Sequence, residues 1–179
     1  MKELKQFNIP FIGLKEGKHT FEYQIDKTFF KAFEFDEFED AQIKATVNFV
    51  KKSTLMELDF FANGTVTVPC DTTNELFDLE FEGHLPLIIK FGPEYNDDND
   101  DILVLPNGEY EINVAQFIYE LIVLNIPNKR VHPGIADGSL ESETLKKLEE
   151  LKIKENKAVE EDATDPRWDK LKDLLTGKT

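Results

Sequence analysis

Residues 77–91 read FDLEFEGHLPLIIKF, and this stretch decides the class of fold. Apolar side chains occupy every second position from Phe77 to Phe91, except where Gly83 interrupts the alternation. A period of two is typical of a β-strand that buries one face. The glycine predicts a bulge or a bend within this strand.

The same alternation comes earlier in the chain and predicts further strands of one sheet. Their apolar positions are Phe21, Tyr23, Ile25, Ile43, Ala45, Val47, Phe49, Met56, Leu58, Phe60, Val66 and Val68. Asn63-Gly64 tolerates positive φ at both centres of a tight turn and therefore predicts a hairpin. Strands joined by short turns predict an antiparallel sheet that either stays open or curls toward a barrel.

Two segments between the strands do not follow the alternation. Residues 26–40 place phenylalanines at spacings that suit either a short helix or a strand, and we favour a short helical or irregular crossing. Residues 94–101, EYNDDNDD, predict a solvated acidic loop. This loop lacks the glycine and the bidentate glutamate that a calcium-binding loop requires.

The clearest helix is predicted over residues 113–124. Asn113 stands three residues before Gln116, close to the spacing of a capping box, and Pro127 ends the helix. One wide apolar face is formed by Val114, Phe117, Ile118, Leu121 and Ile122. This helix would pack against the sheet.

Beyond residue 128 the chain becomes more polar. Leucines at 145, 148 and 151 have helical spacing, residues 155–164 predict a flexible linker, and DPRWDKLKDLL at 165–175 predicts a last helix. We therefore predict an α+β fold in two parts. Residues 1–128 form the antiparallel sheet with its packed helix, and residues 129–179 form a loop and a helical tail.

The charge of the chain limits its partners. The formal net charge is −15, and residues 1–128 carry −14 of it. An acidic body repels phosphate and attracts basic partners at long range, although the same charge also serves solubility alone. We expect no DNA partner, and any contact with RNA would be local, at small basic spots such as Lys129-Arg130.

The compartment is predicted from three features. The N-terminus reads MKELKQFNIP, with charges where a signal peptide needs an apolar stretch. No apolar run reaches the roughly 18 residues that a membrane span requires. Cys70 is the only cysteine and cannot form an internal disulfide. These features predict a cytoplasmic protein without a membrane partner.

Signatures of common catalytic sites are absent. The chain contains no GxSxG, GxGxxG or GxxxxGK[ST] sequence, and a single cysteine lacks the spacing of a structural zinc site. We therefore expect a protein that is not an enzyme and that holds no cofactor and no metal. Cys70 is expected to pack inward with Val66 and Val68.

Three separated pieces of the chain together resemble a known family. The first is GTVTVPC at 64–70 with LIIKFG at 87–92, the second is EINVAQFIYELIVLNIP at 111–127 with VHP at 131–133, and the third is DPRWDKLKDL at 165–174. Their order and spacing resemble the YceD-like family, the large ribosomal RNA subunit accumulation proteins. The resemblance implies a role in the accumulation of large-subunit ribosomal RNA without a known catalytic activity. It also implies partners among nascent large-subunit components.

The chain departs from this family at its cysteines. Family members often carry Cys-x-Arg-Cys where this chain reads Cys70-Asp71-Thr72-Thr73, and further cysteines after the proline and histidine of the second piece. If those cysteines bind a metal in other members, this chain cannot bind it in the same way.

From the residues and the resemblance we predict a ribosome biogenesis factor. It would bind pre-ribosomal large-subunit RNA or a basic large-subunit ribosomal protein. The candidate partner-binding residues are Lys129, Arg130, His132, Asp165, Pro166, Arg167 and Trp168. The alternative is a small-ligand-binding β-barrel protein with no ribosomal role, which an apolar cavity inside the sheet would favour.

Overall fold

The computed structural model describes residues 4–99, 101–140 and 142–151. After a 3-10 turn at Lys5–Phe7, the elements are β1 Asn8–Ile9, β2 Gly17–Asp26, α1 Lys27–Lys31, β3 Asp40–Lys51, β4 Leu55–Pro69, β5 Leu76–Gly92, β6 Asn96–Asn99, β7 Ile102–Pro106, β8 Ile112–Asn113, α2 Ala115–Asn125, α3 Pro133–Ala136 and α4 Glu143–Leu151. The chain divides into two compact units, Met1–Glu141 and Ser142–Thr179. The fold is mixed α+β and rich in strands.

A six-stranded sheet forms the frame of the first unit. Its strand order is β2-β3-β4-β5-β7-β6, and β2 to β5 pair as an antiparallel meander. Within the described ranges the sheet is open, with β2 and β6 at its two edges, so the barrel-like closure is not found.

One pair of strands runs parallel, which corrects the prediction of a wholly antiparallel sheet. Residues 88–92 of β5 pair with residues 102–106 of β7 in parallel register. After β5 the chain runs out along β6, the outermost strand, and returns as β7 between β6 and β5. The segment predicted as an acidic loop is therefore in part the edge strand β6, fully exposed and acidic, as suits a sheet edge.

The hairpin predicted at Asn63-Gly64 is wrong. Both residues lie inside β4, which pairs with β3 and β5 without a break, and the turn between β3 and β4 falls at residues 52–54. Gly64 has a φ of +155°, and a Cβ there would lie 2.3 Å from the carbonyl oxygen of Gln42. A close approach of two backbones, and not a turn, requires this glycine.

The bulge predicted at Gly83 is also wrong, because Gly83 pairs in regular register with Ala62. A Cβ at Gly83 would lie 2.8 Å from the Asn125 side chain and 3.0 Å from the Leu121 side chain. The glycine therefore lets helix α2 approach β5 closely.

Helix α2 covers part of the inner face of the sheet. The prediction of this helix is confirmed with shifted ends, because Asn113 pairs with Asn8 in the small β1–β8 sheet and its Oδ1 accepts the N–H of Ala115. Gln116 does not complete a capping box, since its amide donates to Glu120 instead. The buried residues of the helix are Ala115, Ile118, Leu121 and Ile122. The helix ends at Asn125, before Pro127, as predicted.

The crossing between β2 and β3 is a short helix, as favoured from the sequence. Asp26 caps α1 by accepting the N–H groups of Thr28 and Phe29. The phenylalanines that follow pack beside α2, where the rings of Phe33 and Tyr119 stack with centroids 4.4 Å apart. One flank of α2 is thereby covered by aromatic side chains.

Helix α4 belongs to the second unit and confirms the helical spacing of the leucines at 145, 148 and 151. Across the described ranges, no helix is long and apolar enough to cross a membrane.

Candidate partner-binding site

The predicted site residues Lys129, Arg130 and His132 lie on the segment between α2 and α3. This segment is fastened to the loop that joins β4 and β5. The N–H of Arg130 donates to the Asp71 carboxylate at 2.7 Å, and the N–H of Asp71 donates to the Arg130 carbonyl at 2.8 Å. The structure thus brings together two of the pieces that carry the family resemblance.

The guanidinium of Arg130 is already engaged within the first unit. Its Nη2 donates to Glu37 at 2.5 Å, and 20% of the side chain is exposed. Its Nε is buried and has no hydrogen-bond partner among the described residues. Arg130 therefore presents less positive charge to a partner than its place in the sequence suggests.

His132 links the segment to Cys70 through its backbone and not through its ring. Its N–H donates to the Cys70 sulfur at 3.3 Å, while its Nδ1 accepts the N–H of Gly134 at 2.9 Å and so caps α3. The ring also meets Phe77 edge to face. No histidine ring acts as a base toward this thiol within the described residues.

The environment of Cys70 acts on its pKa in two directions. The side chain is buried, as expected from the sequence, and burial disfavours the thiolate. Hydrogen bonds from the His132 N–H and from Thr73 outweigh burial and lower the pKa of the thiol to about 7. In the part of the chain that the structure describes, no group of three or more His, Cys, Asp or Glu residues is placed to hold a metal ion.

We expect Asp71→Ala to lower the free energy of unfolding by about 1 kcal/mol, because it removes the acceptor of the Arg130 N–H. Urea denaturation of the variant and of Asp36→Ala, an exposed aspartate without a hydrogen bond among the described residues, measures the effect. Amide hydrogen exchange should also accelerate at residues 129–134. Equal stability and unchanged exchange in the two variants would show that Asp71 does not hold this segment.

The remaining predicted site residues, Asp165, Pro166, Arg167 and Trp168, lie outside the described residues, as does the predicted linker 155–164. Their part in binding stays a prediction.

A second candidate site is a groove that the sequence did not reveal. It has a volume of about 820 Å³ and lies between α2 and the strands β5, β6 and β7. The apolar part of its lining includes Leu85, Leu87, Leu103, Leu105, Phe117, Leu121 and Leu124. The groove arises where the parallel strand β7 extends the sheet beyond the width that α2 covers.

The polar part of this groove is acidic. Carboxylates come from Asp97 on β6, from Glu109 and Glu111 between β7 and α2, and from Glu120 on α2. Neither lysine nor arginine occurs among the described lining residues, and none of these carboxylates forms an ion pair with a described residue. The groove is therefore a site of negative potential over an apolar floor.

Burial and two carboxylates of the groove raise the pKa of Tyr95. Tyr95 lines the groove, and its hydroxyl donates to Asp97 at 3.1 Å. Its pKa is raised, first by burial, then by this hydrogen bond, and then by the charges of Asp97 and Glu120. Carboxylates on β6 and on α2 thus act on the same point.

The model of the family "Large ribosomal RNA subunit accumulation protein YceD" matches residues 58–175, which is 118 of the 179 residues. The chain belongs to the YceD family. The match includes all of the groove and the Cys70 loop, whereas β2, α1 and β3 precede it. No curated protein and no solved structure matches the chain.

The family's name connects its members with the accumulation of large-subunit ribosomal RNA. The match to residues 58–175 confirms the resemblance seen in the sequence.

Proposed function

We propose that this protein supports the accumulation of large-subunit ribosomal RNA as a cytoplasmic, non-catalytic factor that binds a basic large-subunit ribosomal protein. The family's name supports the connection with large-subunit RNA. The charge of the molecule favours a protein over RNA as the direct partner, because an acidic surface repels phosphate.

The observation that carries this proposal is the distribution of carboxylates around β5. Asp78, Glu80 and Glu82 lie on its outer face, all exposed, opposite uncharged residues of β4. The inner face of the same strand leads into the groove with its acidic rim. The outer face of β5 and the rim of the groove over its inner face are therefore both acidic, which suits a partner rich in lysine and arginine.

Binding of purified components tests this proposal. We expect the protein to bind the isolated protein fraction of the large subunit in sedimentation experiments and not the deproteinised RNA. The interaction should weaken as salt rises from about 0.1 M to 0.3 M, because charges at the surface are screened. Binding to RNA alone, or to neither fraction, would contradict the proposal.

The role in the cell is tested by depletion. Loss of the protein should lower large-subunit RNA relative to small-subunit RNA, and a gradient of cell extract should place the protein with precursors of the large subunit. Equal amounts of both RNAs after depletion would refute the ribosomal role.

A second candidate function is the binding of a small ligand, which the volume of the groove favours. A volume of about 820 Å³ lies in the range of ligand pockets. Native mass spectrometry of the purified protein tests this alternative, since a retained organic molecule would add a defined mass.

A further inference from the structure

The inner face of the sheet is covered unevenly. On one flank of α2, Phe30 of α1 and Phe33 and Phe35, which follow α1, pack against Tyr119. On the other flank, the described residues leave the groove over β5 and β7 open. An apolar sheet face is normally covered by helices, which pack side by side with axes about 8–10 Å apart. Among the described residues, α2 therefore has no neighbouring helix on this flank.

Large apolar side chains mark the open flank. Leu124 on α2 is 81% exposed, and Tyr95 at the opposite side of the groove is 55% exposed. Leu85 and Phe117 lie between them and are only partly buried. Exposed apolar groups that adjoin an apolar groove are typical of a surface that a partner covers.

The carboxylates of the groove come from three parts of the chain. They belong to β6, to the segment after β7 and to α2, and they face no lysine or arginine in the described lining. A partner with positive charge at its flanks would supply the missing counter-charges.

The length of α2, which forms one side of the groove, indicates the size of the partner. Helix α2 has 11 residues and is therefore about 16 Å long, or about three turns. A helix laid beside it would need apolar side chains at helical spacing on one face and basic side chains at its borders.

Two other segments of this chain carry no net positive charge and therefore complement the acidic groove less well. Residues 165–175 carry three acidic and three basic side chains, and α4 carries three acidic and two basic ones. A second copy of the chain, at −15, would repel the first.

We propose that the groove between α2 and β5–β7 binds an amphipathic helix of about three turns with an apolar face and lysine or arginine at its borders. This proposal rests on the proposed function for the source of the helix, a basic ribosomal protein. Binding would complete the helix layer on the sheet and neutralise the acidic rim.

The test uses the full chain and a synthetic helical peptide of about 16 leucine and lysine residues, with leucines at helical spacing. Fluorescence anisotropy measures its affinity, and a scrambled peptide of the same composition controls for charge alone. We expect the ordered peptide to bind at least about tenfold more tightly, a difference of about 1.4 kcal/mol. Equal binding of the two peptides would overturn the proposal.

Matched variants locate the peptide. Reversal of two rim charges, Glu109→Lys with Glu120→Lys, should weaken binding about tenfold. Reversal of two exposed charges outside the groove and away from β5, Glu16→Lys with Asp36→Lys, should weaken it less than about threefold. Leu124→Ser should also weaken binding. Leu76→Ser, the same substitution at another exposed leucine, should not. Thermal denaturation checks that each variant is folded. Loss of binding in the Glu16 and Asp36 variant, with binding retained in the rim variant, would overturn the proposal.

Trp168, the only tryptophan, reports whether the tail occupies the groove. If its emission moves to longer wavelength when the peptide binds, and moves likewise in Leu124→Ser, the tail is the occupant and the proposal is overturned. Constant emission supports an external helix.

The two proposals fail separately. If the rim variant still binds the large-subunit protein fraction, the proposed function stands and the groove proposal fails. If the wild-type protein binds the peptide in the groove but no ribosomal protein, the groove binds a basic helix from another source and the proposed function fails.

Discussion

Leu121→Ala is expected to lower the free energy of unfolding by about 2–5 kcal/mol. The Leu121 side chain is 2% exposed and packs on the backbone of β5 at Gly83. Alanine would leave a cavity between the helix and the sheet, because the packed side chains around this position cannot move in to fill it. Urea denaturation followed by circular dichroism measures the loss.

Leu124→Ala provides the matched control for this prediction. The same substitution one position short of the end of α2 removes a side chain that is 81% exposed, so we expect a change within about 0.5 kcal/mol. If both variants unfold at the same urea concentration as the wild type, α2 does not pack on the sheet as described.

Gly64→Ala is expected to destabilise the protein by about 2–4 kcal/mol, through backbone strain and overpacking together. The new Cβ would lie 2.3 Å from the Gln42 oxygen and 2.7 Å from the Ile43 Cα, and both are backbone atoms of β3 that cannot rotate away. The φ of +155° adds strain, because residues with a Cβ rarely adopt it. Thermal and urea denaturation measure the effect.

Gly13→Ala is the control for the effect of adding a methyl group to a glycine. No atom lies within 4 Å of a Cβ placed there, so its stability should change little. A Gly64→Ala variant as stable as Gly13→Ala would favour the hairpin that the dipeptide Asn63-Gly64 predicts, in which the glycine is free.

The wrong hairpin could have been avoided from the sequence. Met56, Leu58, Phe60, Ala62, Val66 and Val68 are all buried and all even-numbered. The parity of the buried positions therefore continues through Asn63-Gly64, as it does in a single strand. The preference of the dipeptide for turns is local, and the pairing of β4 on both sides overrides it.

Lys129-Arg130 shows that the sequence alone does not predict whether a basic side chain is free to bind a partner. Glu37 is 93 positions away from Arg130, yet it binds the guanidinium. No local pattern reveals such a partner, because the contact depends on how the segment after α2 returns to the loop between β4 and β5.

The sequence by itself determined the strands from Phe21 to Phe91 and the helix before Pro127, because alternation and helical spacing are local properties of the chain. It also determined membership of the YceD family, because the order of the motifs can be read directly along the chain. Only the tertiary structure decided the geometry of the candidate sites. The parallel pairing of β7 with β5 and the close approach of α2 at Gly83 together form the acidic groove. These contacts join residues far apart in the chain, and their register depends on how the whole sheet buries its inner face.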